Sequence, residues 1–296
     1  MWRMAEAELS PEQQPIVYQN LQFITTRRQE LRKSEIKVAD YVIANPQKVV
    51  HYSISELADN ADVSEPTVIR FCRRIGFRGY QDFKIALAQS VVPRIKNIHE
   101  AIGESDNAQT LAVKIFQANV EAIQDSLQSL DFSALEQTIE ACTTAGTIVF
   151  FGLGGSASVA MDAYHKFFRL GIPCNWYEDT HMQAMGASML GPDDVVIAVS
   201  HSGSSKDIVE AIEIANEAGA LTVAITSHVK SPVSRAARIL LSVSTTETSY
   251  RFEPMASRIA HLSVIDTIAV GVSMRRQEQY VESVRRTRRA LVKKRY

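Results

Sequence analysis

Cysteine is scarce in this sequence of 296 residues, and its three cysteines, Cys72, Cys142 and Cys174, are far apart and form no C-x-x-C pair. That spacing argues against a zinc site and against a disulfide framework, so we expect buried, reduced thiols. No stretch approaches the apolar run that a membrane span needs, and residues 1–15 lack the apolar block of a signal peptide. We therefore expect a cytoplasmic protein that does not bind membranes.

Net charge is also nearly absent, since 32 lysines and arginines face 33 acidic residues. Local imbalances are more informative than the total. The segment from Pro66 to Lys84 has five basic residues and one acid, and residues 275–296 have nine basic residues and two acids. A basic segment of this kind is typical of contact with an anionic partner, whereas the basic tail is most simply a solvated amphipathic helix. A dimer contact or nonspecific attraction to DNA is the alternative for the tail.

The apolar pattern divides the chain into two regions. Between residues 16 and 92 apolar residues recur at helical spacing, which predicts an all-α domain. A polar stretch at 93–107 has the composition of a linker. Residues 108–296 then form the second predicted domain, which begins with two helices at about 108–130 and 132–144 and ends with a helical region at about 254–276.

Short apolar runs separated by helical segments follow Gly146. The predicted strands are residues 147–151, 173–177, 195–200, 221–226 and 239–243. Helix-compatible sequence follows each of the first four, which is the βαβ pattern of a parallel sheet covered by helices on both faces. The second domain is therefore predicted to be an α/β domain of three layers, with a parallel sheet between two layers of helices.

Residues 54–73 have the spacing of a helix-turn-helix unit. Ala58 supplies the small residue where two steeply crossed helices touch, while Leu57, Val63, Val68 and Phe71 supply the apolar contacts. Ser64 is placed to cap the second helix, and Pro66 falls in its first turn. The alternative is an ordinary helical hairpin with a solvated basic face.

The second helix of this unit is predicted to enter the major groove of operator DNA. Thr67 and Arg70 are the best candidates for reading base edges, because exposed residues near the start of such a helix face the bases. Nearby cations are better suited to phosphates. The predicted DNA-binding residues are Ser64, Glu65, Thr67, Arg70, Arg73, Arg74, Arg78 and Lys84.

Two glycine- and serine-rich turns connect predicted strands to helices. In such turns, glycines let backbone amides approach an oxyanion, serine hydroxyls add donors, and the helix N-terminus favours negative charge. We therefore predict one phosphate site shared by both turns, although tight turns that merely need flexible residues are the alternative. The predicted ligands are Gly154, Gly155 and Ser156 in the first turn and Ser200, His201, Ser202, Gly203 and Ser205 in the second. For His201, contact with the ligand and a mere place in a polar pocket are equally open.

These motifs resemble the RpiR-type regulators, which join a helix-turn-helix domain to a sugar isomerase (SIS) domain. The resemblance rests on residues 67–84 and on the Gly152-Leu153-Gly154 and Ser200-His201-Ser202-Gly203 segments, and covers nearly all of the chain after residue 16. It implies a repressor of sugar metabolism genes that is not an enzyme. The resemblance also implies that Ser156, Ser200, Ser202 and Ser205 bind phosphate. Likeness to the regulators of hexose and Entner–Doudoroff genes implies 2-keto-3-deoxy-6-phosphogluconate as the effector.

Further expectations concern partners and alternatives. Symmetric operators read by paired helix-turn-helix units favour a homodimer or higher homo-oligomer. The competing hypothesis is a sugar-phosphate isomerase, for which Glu178, Glu253 or His261 could supply acid–base groups. The histidines show no metal-ligand spacing, so we expect neither a metal nor a cofactor. Met182, Met185 and Met189, which fall at helical spacing, are interpreted as core residues.

Overall fold

A computed structural model describes residues 21–25, 27–91, 106–244 and 255–294 of the chain. The described residues divide into two compact units, one ending by Asp106 and the other starting at Asn107. Residues 16–20 of the first predicted domain and residues 93–105 of the predicted linker lie outside the described residues.

The N-terminal unit is all-helical in its described part, as predicted. Its helices are α1 (Gln22–Thr25), α2 (Lys33–Ala44), α3 (Pro46–Val49), α4 (Ile54–Asn60), α5 (Glu65–Arg74) and α6 (Tyr80–Val91), with a 3₁₀ turn at Arg28–Glu30. A capping box starts α4, because Ser53 Oγ accepts from the Glu56 amide at 3.2 Å and the Glu56 carboxylate accepts from the Ser53 amide at 2.6 Å.

Apolar residues from all six helices form one core in this unit. Phe71 and Phe83 meet edge to face with ring centroids 5.5 Å apart, and both side chains are fully buried. Leu57 and Val68 are also fully buried, and Val63 packs against the cluster from its margin. The apolar contacts predicted for the helix-turn-helix unit are therefore present.

The C-terminal unit alternates helices and strands. Its helices are α7 (Ala108–Ser129), α8 (Phe132–Thr144), α9 (Gly155–Arg169), α10 (Thr180–Ser188), α11 (Lys206–Glu217), α12 (Pro232–Ala236), α13 (Ala256–Arg275) and α14 (Gln277–Leu291). Its strands are β1 (Ile148–Gly152), β2 (Cys174–Tyr177), β3 (Val195–Val199), β4 (Leu221–Thr226) and β5 (Ile239–Ser242). Each predicted strand is present, with ends that differ from the prediction by at most one residue.

All strand pairs in the five-stranded sheet are parallel, in the order β2-β1-β3-β4-β5. Successive side chains of β1 point to opposite faces of the sheet. Ile148 and Phe150 belong to one apolar cluster, and Val149 and Phe151 belong to the other. Helices cover both faces, which explains why the strand sequences are continuous apolar runs and confirms the predicted three-layer architecture.

Side-chain exposure corrects one sequence-based interpretation. Met182, Met185 and Met189 are 43%, 55% and 85% exposed, so they are surface residues of α10 and its C-terminus rather than core residues. Helical spacing identifies a shared face but does not decide which way that face points. Among the cysteines, Cys72 and Cys142 are buried and Cys174 is half-buried, all as free thiols. None of the described helices is long and apolar enough to cross a bilayer.

Candidate DNA interface and anion site

The helix pair α4–α5 has a tight turn at its centre. Ala58 is buried where the helices meet, and its carbonyl accepts from the Val63 amide at 2.9 Å. Ser64 occupies the N-cap position of α5, but within the described chain its hydroxyl makes no capping bond to the backbone. Its Oγ lies 3.0 Å from Thr67 Oγ1 instead. The predicted side-chain cap is therefore wrong, although the position is right.

Thr67 is only 4% exposed, which removes it from the surface that a groove would contact. Its Oγ1 accepts from Arg70 Nη2 at 2.8 Å. The buried hydroxyl thus orients the guanidinium of the exposed Arg70. Thr67 is a positioning residue in this geometry, and the prediction that it reads bases is corrected by its burial.

Arg74 connects α5 to α2 and to the 3₁₀ turn at Arg28–Glu30. Its Nε lies 3.3 Å from Oε2 of the fully buried Glu35, and its Nη1 donates to the Glu30 carbonyl at 2.9 Å. The same Glu35 oxygen accepts from the Arg32 amide at 2.9 Å. Removing one partner of a pair that contains a buried charge is costly, so these contacts give Arg74 a structural role.

Lys84 departs furthest from its predicted role as a phosphate contact. The residue is 2% exposed, and its Nζ donates to the Tyr52 carbonyl at 2.6 Å. Tyr80 Oη donates to the same carbonyl at 2.9 Å. Burial lowers the pKa of Lys84 to about 8, because an apolar environment disfavours the charged form. A side chain held in this way does not reach the backbone of DNA, so Lys84 leaves the proposed interface.

Of the remaining predicted residues, Arg73 and Glu65 lie on α5, and Arg78 lies between α5 and α6. Arg73 is exposed, and the Arg78 side chain is 93% exposed with its Nε 3.7 Å from Asp82. Glu65 is tied to α4 through a 2.5 Å bond from Ser55 Oγ. Arg74 is also exposed but is paired with the buried Glu35, which leaves Arg70, Arg73 and Arg78 as the better candidates for a DNA surface.

The two glycine- and serine-rich turns meet at one edge of the sheet. β1 and β3 are adjacent and parallel, and Gly152 at the end of β1 pairs with Val199 at the end of β3. After β1 the chain crosses to β2 on one side, whereas β3 and β4 continue on the other. The site is thus a topological switch point, where open α/β sheets bind their ligands at the carboxyl ends of the strands.

The first turn is open toward its surroundings. Gly154 has φ +55° and ψ −127°, a conformation that L side chains rarely adopt, and a Cβ there or at Gly155 would meet no described atom within 4 Å. Gly152 is different, because a Cβ there would lie 2.6 Å from the Ser156 carbonyl oxygen. Ser156 is half-buried in the first turn of α9. The first turn therefore leaves open space at the N-terminus of α9.

Internal hydrogen bonds brace the second turn. Ser202 Oγ accepts from the Ser204 amide at 3.3 Å, and Ser204 Oγ donates to the Ser202 carbonyl at 3.1 Å. Gly203 has φ +61°, and a Cβ there would lie 2.2 Å from Ser231 Oγ. Ser200 is buried, and Ser205 is the N-cap residue of α11. The turn presents serines in a fixed backbone at a second helix N-terminus.

Histidines from three parts of the unit gather beside this turn. The His201 ring lies 6.0 Å from that of His228 and 6.4 Å from that of His261, both edge to face. His201 Nδ1 lies 3.1 Å from Ser227 Oγ, and His261 is 1% exposed. This cluster could not be predicted from sequence, because its members are on separate elements and no spacing rule connects them. No metal-binding group of three or more His, Cys, Asp or Glu occurs among the residues that the structure describes.

Gln183 also supports the site and was not predicted from sequence. Its fully buried side chain donates through Nε2 to the carbonyl of Tyr177 at 2.7 Å and to that of Gly152 at 3.3 Å. These bonds link α10 to the ends of β1 and β2. Gln183 therefore supports the strand end from which the first turn starts.

Comparison with known proteins gives matches to both units. Residues 18–94 match the helix-turn-helix domain of the rpiR family, and residues 143–271 match the SIS domain. The chain is 37% identical over 276 residues to the HTH-type transcriptional regulator HexR of Escherichia coli (strain K12), covering 93% of this chain and 95% of that protein. It is 38% identical to HexR of Pseudomonas aeruginosa, covering 93% and 96% of the two chains.

A solved structure is similar over nearly the same length. The Vibrio vulnificus NanR protein complexed with ManNAc-6P matches with a TM-score of 0.79 and 28% identity, covering 93% of this chain and all of that one. The predicted family is thereby confirmed from sequence and from structure. This chain belongs to the RpiR family of transcriptional regulators, with an N-terminal helix-turn-helix domain and a C-terminal SIS domain.

Proposed function

We propose that this regulator is a repressor whose affinity for operator DNA is controlled by a phosphorylated sugar acid bound between the two serine turns. The observation that carries the proposal is the pairing of β1 with β3, which brings the turns containing Ser156 and Ser202 to one sheet edge. Serine hydroxyls, backbone amides and two helix N-termini then converge on one anion. That set of donors suits a phosphate group.

The histidine cluster beside the second turn is the reason to propose a carboxylate as the second anionic group of the ligand. His201 and its neighbours supply imidazole N–H groups, which bind a carboxylate when an imidazole is positively charged or donates a hydrogen bond. The family resemblance implies 2-keto-3-deoxy-6-phosphogluconate, which has a phosphate at one end and a carboxylate at the other. NanR complexed with ManNAc-6P supports the phosphosugar class.

Control of DNA binding by the effector is a linkage between two binding equilibria. The effector changes operator affinity only if it binds the DNA-competent and DNA-incompetent states with different affinity. Operator DNA must then weaken effector binding by the same factor that the effector weakens operator binding. This reciprocity follows from the proposal without any assumption about how the two units move.

A thermal-shift screen tests the proposed ligand. We expect 2-keto-3-deoxy-6-phosphogluconate to raise the melting temperature, because a ligand that binds only the folded state stabilises it. The matched control is the same sugar acid without phosphate, which should give no shift. The same pair of compounds should then be added to the protein bound to a duplex selected from a random-sequence library, and only the phosphorylated acid should release it. The proposal fails if no phosphorylated sugar acid shifts the melting temperature.

Arg70→Ala should reduce discrimination between the selected duplex and scrambled DNA by about 2 kcal/mol, the loss expected for one side chain that reads a base. Arg73→Ala is the contrasting variant, because a residue that contacts phosphate should weaken binding to both duplexes alike. Fluorescence anisotropy at several salt concentrations measures both effects. An unchanged preference in Arg70→Ala would remove Arg70 from base readout.

We further propose that the protein has no isomerase activity. Of the three acid–base candidates, Glu178 is exposed, His261 is buried and Glu253 lies outside the described residues. The HexR relatives are named as transcriptional regulators. Interconversion of an aldose phosphate and a ketose phosphate by the purified protein, followed by NMR, would contradict this proposal.

A further inference from the structure

The segment before α2 lies against the C-terminal end of α5. Arg74, the last residue of α5, donates to the Glu30 carbonyl at 2.9 Å. Two residues beyond Arg74, Gly76 meets the side chain of Arg27. These contacts join the end of the predicted recognition helix to a part of the chain about 44 positions earlier, which the basic segment of the sequence does not include.

Gly76 makes room for the guanidinium of Arg27. The backbone at Gly76 has φ +102°, and a Cβ there would lie 2.5 Å from Arg27 Nη1. The other two atoms nearest to that point, Cζ at 3.5 Å and Nη2 at 3.7 Å, also belong to Arg27. The guanidinium therefore lies over the Cα of Gly76. Although Arg27 is exposed, packing gives its charged end a defined position.

The contact between Arg27 and Gly76 does not cap α5. An arginine near the C-terminus of a helix can serve to satisfy the last carbonyls and the helix dipole. In α5 those carbonyls already accept from backbone amides, in the pattern of a Schellman motif. The bonds run from the amides of Ile75, Phe77 and Gly76 to the carbonyls of Phe71, Cys72 and Arg73, at 3.0, 2.9 and 3.1 Å. Among the described residues, none of these carbonyls accepts from Arg27.

The guanidinium of Arg27 keeps its N–H donors for another partner. Within the part of the chain that the structure describes, it makes no hydrogen bond and no ion pair. Neighbouring cations are engaged instead, because Arg28 pairs with Asp40 at 2.8 Å and Lys37 pairs with Asp62 at 2.6 Å. An exposed guanidinium in a fixed position suits an oxyanion, since its planar fork matches phosphate and carboxylate.

DNA phosphates are the anions that this position favours. The ten residues of α5 make it ~15 Å long, whereas the major groove is about 12 Å wide. A helix that inserts its N-terminal part into the groove therefore has its C-terminal end near the sugar–phosphate backbone. Arg27 lies at that end, and Arg73, exposed one turn before Gly76, adds a second cation. Two guanidiniums there suit a strand that has a charge at every nucleotide.

We propose that Arg27 contacts a phosphate of operator DNA beside the groove that α5 enters. The DNA interface then includes the segment before α2 as well as the helix-turn-helix unit. Arg27 contributes affinity rather than sequence preference, because phosphate contacts contain no direct sequence information. The inference depends on DNA binding by the N-terminal unit, and it requires neither the effector nor the serine turns.

Arg27→Met tests the contact, because methionine keeps an unbranched apolar stem and removes the charge. Each phosphate contact contributes about 0.9 to the slope of log K against log salt concentration, so the slope should become shallower by about 0.9 for each bound copy. Affinity measured by fluorescence anisotropy should fall about eightfold per copy at ~0.1 M salt, equally for the selected duplex and for scrambled DNA. Arg27→Lys should restore the wild-type slope, since lysine also neutralises a phosphate.

Lys48→Met is the matched control, because Lys48 is an exposed cation of α3, which packs against α2 and α6. It should leave the salt slope and both affinities unchanged. A purely structural role for Arg27 would instead lower the melting temperature and leave the slope unaltered. An Arg27→Met variant with the wild-type slope would overturn the inference, whatever its affinity. The effector takes no part in these measurements, so that result would leave the proposed function standing.

Discussion

Ser202→Ala should shift the response of this regulator to about 10- to 100-fold higher effector concentration while leaving operator binding intact. In the wild type, Ser202 Oγ accepts from the Ser204 amide at 3.3 Å, which leaves its hydroxyl proton to donate to a ligand oxyanion. Loss of a hydrogen bond to a charged group costs roughly 1.5–3 kcal/mol, or about 10- to 100-fold in affinity. An effector concentration that releases the wild type from DNA should therefore leave the variant bound.

Isothermal titration calorimetry measures the effector affinity, and anisotropy with labelled operator measures the release. Ser188→Ala is the matched control, because Ser188 is an exposed serine of α10 whose hydroxyl donates only locally, to the Met185 carbonyl at 2.8 Å. It should behave as wild type in both assays. An unchanged effector affinity in Ser202→Ala would exclude Ser202 from the site and would count against the phosphate assignment of the second turn.

The sheet and the two turns could be predicted from sequence because their signals are local. A buried parallel strand is a short apolar run, as in residues 195–199, and the turn that follows needs glycine where φ is positive, as at Gly203. Parallel strands end at the same edge, so adjacent strands bring their turns together once the order β2-β1-β3 is known. That order was the part that sequence alone did not provide.

Burial of charged side chains could not be predicted. Arg70 and Lys84 belong to the same basic segment, yet Arg70 is exposed and Lys84 is buried against the Tyr52 carbonyl. A lysine on an amphipathic helix gives the same sequence pattern whether its amine faces water or a carbonyl 32 residues away. Only the packing of α6 against the Tyr52 segment distinguishes the two cases.

Contacts between distant elements were equally inaccessible. His201 and His261 are 60 positions apart and lie on a turn and a helix, but their rings are 6.4 Å apart. The methionines of α10 illustrate the reverse case, because their helical period was recognised and their orientation was not. Periodicity defines a face, whereas the tertiary structure decides what covers it.

The burial of Lys84 makes a contribution to the stability of this regulator that grows as the pH rises from about 8 toward 10. Its pKa is lowered from 10.5 to about 8 in the folded state, so the unfolded chain binds more protons in this interval. The free energy of unfolding increases with pH wherever the unfolded state binds more protons. A full shift of this size corresponds to about 3 kcal/mol. Below pH 8 the lysine is protonated in both states, so the contribution no longer changes.

Three cysteines and two tyrosines oppose that contribution. Burial raises the pKa of Cys142 to about 12 and that of Cys174 to about 11, and it raises the pKa of Cys72 well above its usual 9.0. The unfolded chain therefore releases these thiol protons first above pH 9, which lowers stability there.

Burial raises the pKa of Tyr80 well above its usual 10.0, and the hydrogen bond with Tyr41 together with burial raises the pKa of Tyr52 to about 12. The unfolded chain therefore releases these protons first above pH 10, and stability should fall there by the same linkage. The contribution of Lys84 is therefore measured as a difference between the wild type and a variant that keeps these cysteines and tyrosines.

Lys84→Met isolates the lysine from other titrating groups. Tyr80 Oη donates to the Tyr52 carbonyl at 2.9 Å in the wild type and should keep that acceptor paired in this variant, while the cost of burying a cation disappears. We expect urea denaturation to show the variant at least as stable as wild type at pH 8, with its advantage shrinking by about 2 kcal/mol at pH 10. Lys48→Met, at an exposed position of the same unit, controls for the loss of a cation. A difference between wild type and Lys84→Met that stays constant over this range would show that Lys84 is not buried as a charged group, because only a lowered pKa links its protonation to folding at these pH values.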